Sequence, residues 1–234
     1  DTIKLKLLFE LIENSSKQNR DKAYQYAAEA KIIAAKIKNP IIIAKTNYRI
    51  SKLYISDGKY DEAKSLLDQA KPIFEKFKYV KNLGQVYESL GNIAGQKKEN
   101  QEAKVHCEKA ISLFESNGDL FELNGAKDRL SSILGLMGDY KKAIQIKDEV
   151  ILYFEKNNEL AEMARVIGNK SRYHFQAGEI NLAVECLLQS LSINEKIGAL
   201  NPQLYNYQNL AVLYSEIGEP KKAMEFAQKG LTDR

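Results

Sequence analysis

Ala23, Ala63, Ala103, Ala143, Ala183 and Ala223 stand 40 residues apart along a chain of 234 residues. A fixed period of this length restricts the fold to an array of like units, each presenting the same residue to the same kind of neighbour. The surrounding columns agree. Five residues before the alanine come Gly58, Gly138, Gly178 and Gly218; seven after it come Ala30, Ala70, Ala110, Val150, Ser190 and Gly230. Ten before it stand Leu53, Ile93, Ile133, Tyr173 and Leu213, and ten after it Ile33, Ile73, Leu113, Tyr153 and Ile193.

Inside the period the apolar residues fall three, four and seven apart, the spacing of one helix face. Ala63, Leu66, Leu67, Ala70, Phe74 and Phe77 show it in the second half of one unit. The small residues let a neighbouring helix approach closely. The glycine ahead of each alanine suits the left-handed residue that ends a helix, so turns are expected at Gly58-Lys59-Tyr60-Asp61 and Gly138-Asp139-Tyr140-Lys141. One helix pair cannot bury its own apolar face, whereas stacked pairs can. The expected architecture is therefore all-α: six helix pairs at 1–38, 41–78, 81–118, 121–158, 161–198 and 201–234, forming one domain over 1–234. In the first pair the rigid register would put Glu10 and Asn14 in core columns. A shift of two residues brings in Leu5, Leu8, Phe9 and Ile12 and predicts a longer turn through 15–20. Pro72, inside a second helix, predicts a kink or local opening near Asp68 and Gln69.

With the small-residue packing, the G-x-Y turn and the alanine early in the second helix, the chain resembles the tetratricopeptide repeat (TPR) family over nearly its whole length. The segments SKLYISDGKYDEAKSLLDQAKPIFEK and SSILGLMGDYKKAIQIKDEVILYFEK match it best. The family's usual period is about 34 residues, so each pair here carries extra helix. Lys98 replaces a turn glycine, and His174 stands where Tyr54 and Tyr214 stand in their repeats. The resemblance implies a right-handed α-solenoid of six helix-turn-helix TPR-like pairs. More narrowly, DTIKLKLLFELI followed by NRDKAYQYAAEAKIIAAKI resembles the start of TPR sensor regions of bacterial two-component histidine kinases. That implies a periplasmic part of a membrane-bound sensor, with membrane and kinase segments beyond Arg234; a cytoplasmic location is the alternative.

Composition narrows the function. The net charge is +4, with Lys and Glu interspersed, so no basic block of the nucleic-acid-binding kind is present. No segment approaches a membrane span of about 18–20 apolar residues. Cys107 and Cys186 form no metal-binding or disulfide pattern. The two histidines, His106 and His174, fall on packed faces, and no motif of a hydrolase, zinc enzyme or phosphate-binding loop occurs. Neither an enzyme nor a cofactor or metal is expected. Self-association as a homodimer is the alternative to a ligand-binding role; the last helix carries Met224, Phe226 and Leu231.

In a TPR array the first helices line the concave face, and the resemblance implies that a peptide or protein ligand lies there. The columns pointing away from the core give Lys45, Tyr48, Arg49 and Lys52, then Gln85, Glu88 and Asn92. Farther along come Asp128 and Arg129, then Arg165, Asn169 and Arg172, and last Tyr205, Gln208 and Asn209. Asn and Gln offer both donor and acceptor to an extended backbone, and Arg offers a fork to carboxylates.

Overall fold

The computed structural model describes residues 1–232. Among them are twelve helices and no strand: α1 (Thr2–Gln18) and α2 (Arg20–Ile37), α3 (Pro40–Ser56) and α4 (Tyr60–Lys76), α5 (Val80–Gln96) and α6 (Asn100–Asn117). The series continues with α7 (Leu120–Leu136) and α8 (Tyr140–Lys156), α9 (Leu160–Gln176) and α10 (Ile180–Lys196), α11 (Leu200–Glu216) and α12 (Pro220–Thr232). α1 packs on α2, α3 on α4, α5 on α6, α9 on α10 and α11 on α12.

The 40-residue period contains a shorter one. Left-handed residues recur every 20 positions: Lys38, Gly58, Lys78, Lys98, Gly118, Gly138, Asn158, Gly178, Gly198 and Gly218. A helix of 17 residues and a three-residue turn make the half-unit. At the nine turns from Gly58 onward the N–H just after the left-handed residue returns to a carbonyl five residues earlier. Lys59 to Tyr54 (2.9 Å) and Glu179 to His174 (2.8 Å) are examples. These bonds satisfy carbonyls that a helix end would otherwise leave open. At the third turn Lys98 adopts φ 63°, so the missing glycine does not alter the turn.

The first turn differs from the expectation. No long loop spans 15–20. α1 continues to Gln18, and the single residue Asn19 joins it to α2. Asn19 is extended (φ −149°, ψ 92°), and its side chain accepts from the Lys22 N–H at 3.1 Å. An N-cap side chain replaces the three-residue turn, and the extra residues enter the helix instead. The shifted register itself holds for the core, with Leu5, Leu8 and Ile12 buried and Phe9 packed beside them. α4 continues unbroken through Pro72, which lies on an exposed flank.

The chain divides into two compact units, Asp1–Ala126 and Lys127–Arg234, with the boundary inside α7. In the first, Ala63, Leu67, Ala70 and Phe74 pack on Val86, Leu90 and Ile93 of the next pair. In the second, Ala183, Val184, Leu187 and Leu191 pack on Tyr207, Leu210 and Leu213. The anchoring alanines Ala23, Ala63, Ala103, Ala143 and Ala183 are fully buried, which explains their spacing: any larger side chain would hold the helices apart. No helix among the described residues is long and apolar enough to cross a membrane.

Candidate functional site

In the first unit, α1 meets α3 and α3 meets α5, so the first helices form a continuous face. That face holds a cleft of 600 Å³ whose walls include Lys6, Phe9, Lys45, Tyr48, Arg49 and Lys52. Asn82 and Gln85 close one side, and Glu13 is the sole acid among the lining residues. An adjoining cleft of 540 Å³ shares Phe9, Glu13, Arg49 and Lys52. The cations are laid over aromatic rings. Lys45 Nζ is 4.8 Å from the centre of Tyr79, and the Arg49 guanidinium is 5.0 Å from that of Phe9. Such contacts hold long side chains in place while leaving donors for a ligand. Arg49 Nη1 also reaches Glu13 at 3.0 Å, whereas Lys52 is exposed.

Deeper in the same face, burial raises the Tyr48 phenol above its ordinary pKa; the carboxylates Glu88 and Glu122 add to the shift. It therefore remains a neutral donor at any physiological pH. Gln85 donates to Glu122 at 3.1 Å and receives a bond from Asn82 at 3.4 Å. Glu88 and Asn92 are half-buried. Lys45, Tyr48, Arg49, Lys52 and Gln85 thus line one cleft.

The second unit departs from the expected pattern at one residue. Asp128 is not exposed: it is 7% accessible and lies between two cations. Lys147 Nζ is 2.5 Å from its Oδ1, and Arg165 Nη1 is 2.9 Å from its Oδ2. Burial alone would raise the Asp128 carboxyl, but Lys147 and Arg165 outweigh it and hold the group below the usual carboxylate range. Column reading placed Asp128 outside because it could not see Lys147. That residue sits in a second-helix column, is fully buried and extends its ammonium across the pair. Arg165 is drawn toward Asp128 and Glu162 (2.8 Å), so part of its donor set is already used. Arg172 is exposed and donates to the Tyr173 hydroxyl at 3.2 Å. Arg129 is half-buried. Asn209 bonds its own helix at the Tyr205 carbonyl (2.7 Å), and Gln208 is exposed.

A second cavity, 410 Å³ in volume, opens between α9, α10 and α11. Arg165, Asn169 and Tyr205 lie on it, together with Asn194 and Asn206, which the reading of exposed columns did not select. Both are buried residues of the packed columns, so a search confined to exposed positions passes over them. A signal was nevertheless available in the repeat. Eleven residues after the anchoring alanine stand Ala34, Phe74, Phe114, Phe154 and Asn194, and the last of these breaks a run of phenylalanines.

His106 and His174 are both packed. His106 lies 5.9 Å from the Tyr87 ring, and burial lowers its pKa despite Glu102 nearby. His174 is 8% accessible, with Nδ1 2.6 Å from Glu179.

No curated protein sequence matches this chain. Solved structures do, at low identity. Apo RapI is 12% identical, with TM-score 0.76 over 98% of this chain and 97% of that one. Aspartyl phosphate phosphatase F from Bacillus subtilis is 17% identical, with TM-score 0.77 over 100% of this chain and 70% of that one. The quorum sensor NprR in complex with its cognate peptide NprX is 15% identical, with TM-score 0.71 over 98% of this chain and 65% of that one. These likenesses establish the fold. The family model described as the SusR N-terminal TPR domain matches residues 1–233, which together with the six helix pairs places this chain in the SusR N-terminal TPR domain family.

Proposed function

We propose that this chain is a peptide- or protein-binding TPR module, the sensor or interaction region of a bacterial signalling protein located in the periplasm. The observation that carries the reading is the cleft of the first unit. Lys6, Lys45, Arg49 and Lys52 face Glu13 alone among the lining residues, over the rings of Phe9 and Tyr48. Cations against aromatic walls suit an extended peptide that carries carboxylates: the charges pair and the side chains pack. Gln85 and Asn82 supply amides for its backbone. In the second unit Asn169, Arg172, Gln208 and Asn209 extend the same chemistry. NprR, a structural neighbour, is described with a bound cognate peptide, which supports peptide binding by this kind of array.

The test is capture from a library of acidic and neutral peptides, followed by calorimetric titration of the best binder. One charge-assisted contact is worth about 1.5–3 kcal/mol, so Lys45→Glu/Lys52→Glu should weaken binding by tenfold or more, and added salt should weaken wild type. Unchanged affinity in that variant would refute the cleft reading. The alternative of self-association draws on Met224 and Leu231, 72% and 66% exposed on α12. Sedimentation at rising concentration separates it from a monomeric binder.

A further inference from the structure

The cavity between α9, α10 and α11 occupies a place that the other pairs fill. Phe74, Phe114 and Phe154 are buried to 1% accessibility or less, each in the same column of its second helix. The Phe114 ring lies on its partner helix so closely that a Cβ on Gly84 would come within 2.6 Å of it. Phe154 packs on Val166 of the following pair, and Phe74 shares a cluster with Val86. In the fifth pair, 40 residues per step, the column holds Asn194. Ala164 takes the place of Gly84, and Asn206 that of Val86 and Val166. Asn194, Ala164 and Asn206 all line the 410 Å³ cavity. The cavity borders the column position that a phenylalanine ring occupies in the second, third and fourth pairs.

The fifth-pair cavity also has polar groups at its base. Ser190, Asn194 and Asn206 are 1%, 2% and 1% accessible. Each donates one bond: Ser190 Oγ to the Ala164 carbonyl (2.8 Å), Asn194 Nδ2 to Ser190 Oγ (3.4 Å), and Asn206 Nδ2 to the Leu187 carbonyl (3.0 Å). The Oδ1 atoms of Asn194 and Asn206 accept from no side chain or N–H among the described residues. The two acceptors are not among the enclosed unpartnered atoms, so they open onto the cavity and suit an aromatic group that carries a donor. At the mouth Tyr205 is 46% exposed, beside Arg165 and Asn169.

We propose that this cavity is a specificity pocket for a tyrosine side chain of the ligand. The ring takes the position of the absent phenylalanine, and the phenol O–H donates to Asn194 or Asn206. Arg165, Asn169 and Tyr205 then hold the adjoining backbone. The proposal rests on the peptide-binding reading only for the tyrosine belonging to a peptide; the pocket itself is tested with a small probe. N-acetyl-tyrosinamide and N-acetyl-phenylalaninamide would be titrated into the whole chain and followed by amide chemical shifts. Tyrosinamide should perturb the amides of Ser190, Asn194 and Asn206, and should bind several-fold to about tenfold tighter than phenylalaninamide, the value of one buried hydrogen bond. Asn194→Phe restores the residue of the other pairs. It should raise the unfolding temperature and weaken tyrosinamide binding at least about tenfold by filling the site. Unchanged tyrosinamide affinity in this variant, shifts elsewhere than at these amides, or equal binding of phenylalaninamide would overturn the proposal. A loss of acidic-peptide binding in the first-unit cleft variant with tyrosinamide binding intact would leave the pocket standing on its own.

Discussion

The buried ion cluster of the second unit yields a quantitative test. Lys147 has no solvent exposure, and Asp128 is its carboxylate partner at 2.5 Å; its Nζ is also 5.7 Å from the Tyr173 ring. Asp128→Asn keeps the shape and removes the charge, leaving a buried ammonium without a counter-ion. Uncompensated burial of this kind costs about 3–5 kcal/mol. Arg165 adds little to the loss, because its guanidinium is 45% exposed and keeps Glu162 at 2.8 Å; exposed pairs contribute under about 1 kcal/mol. Removing both buried charges, in Asp128→Leu/Lys147→Met, should return stability to within about 1 kcal/mol of wild type or above it, because the desolvation penalty disappears with the pair. Urea unfolding followed by circular dichroism gives the totals. Native-state hydrogen exchange of the α8, α9 and α10 amides shows whether the loss is local, since helical arrays need not unfold in one step. A single substitution costing less than about 1 kcal/mol, or a double variant as unstable as Asp128→Asn, would refute the reasoning.

Three further outcomes follow from the same structure. The folded Asp128 carboxyl titrates below its unfolded value of about 3.9, so its contribution is present above that pH and is lost as pH falls through the lower folded value; urea midpoints of wild type and Asp128→Asn should converge in acid, and parallel curves would count against it. Pro72 sits on the exposed side inside α4, so Pro72→Ala should restore a helix hydrogen bond and stabilise the first unit by up to about 3 kcal/mol, read as a raised urea midpoint. A Cβ at Gly135 would stand 2.3 Å from the Tyr173 ring, so Gly135→Ala should destabilise by about 1–3 kcal/mol through overpacking, whereas Gly125→Ala, where a Cβ meets open space, should be neutral or better in thermal melts.

The sequence alone was enough for the repeat, the helical class and the anchoring alanines of the core, because these depend on local periodicity. A residue that returns every 40 positions between like neighbours must occupy like surroundings, and Ala63, Ala103, Ala143 and Ala183 are all buried for that reason. The 20-residue half-period was also present, but it is hidden in composition: Lys38, Lys78, Lys98 and Asn158 take the conformation that glycine takes elsewhere, so the turn is set by helix length rather than by residue type. The turn at Asn19 was misread because one capping side chain can do the work of a three-residue loop. Residues of the first-helix face were legible from their columns, as at Lys45, Arg49 and Lys52, which line one cleft. They were not legible where two elements converge. Asp128 left the exposed set because a lysine 19 residues away in sequence reaches it across the helix pair. The Asn194 cavity is lined by side chains from three helices, beside a column that holds phenylalanine in three other pairs. Periodicity determines which face of a helix turns inward; only the packed structure decides which charges meet there and which volumes stay empty, since both depend on side chains contributed by different helices.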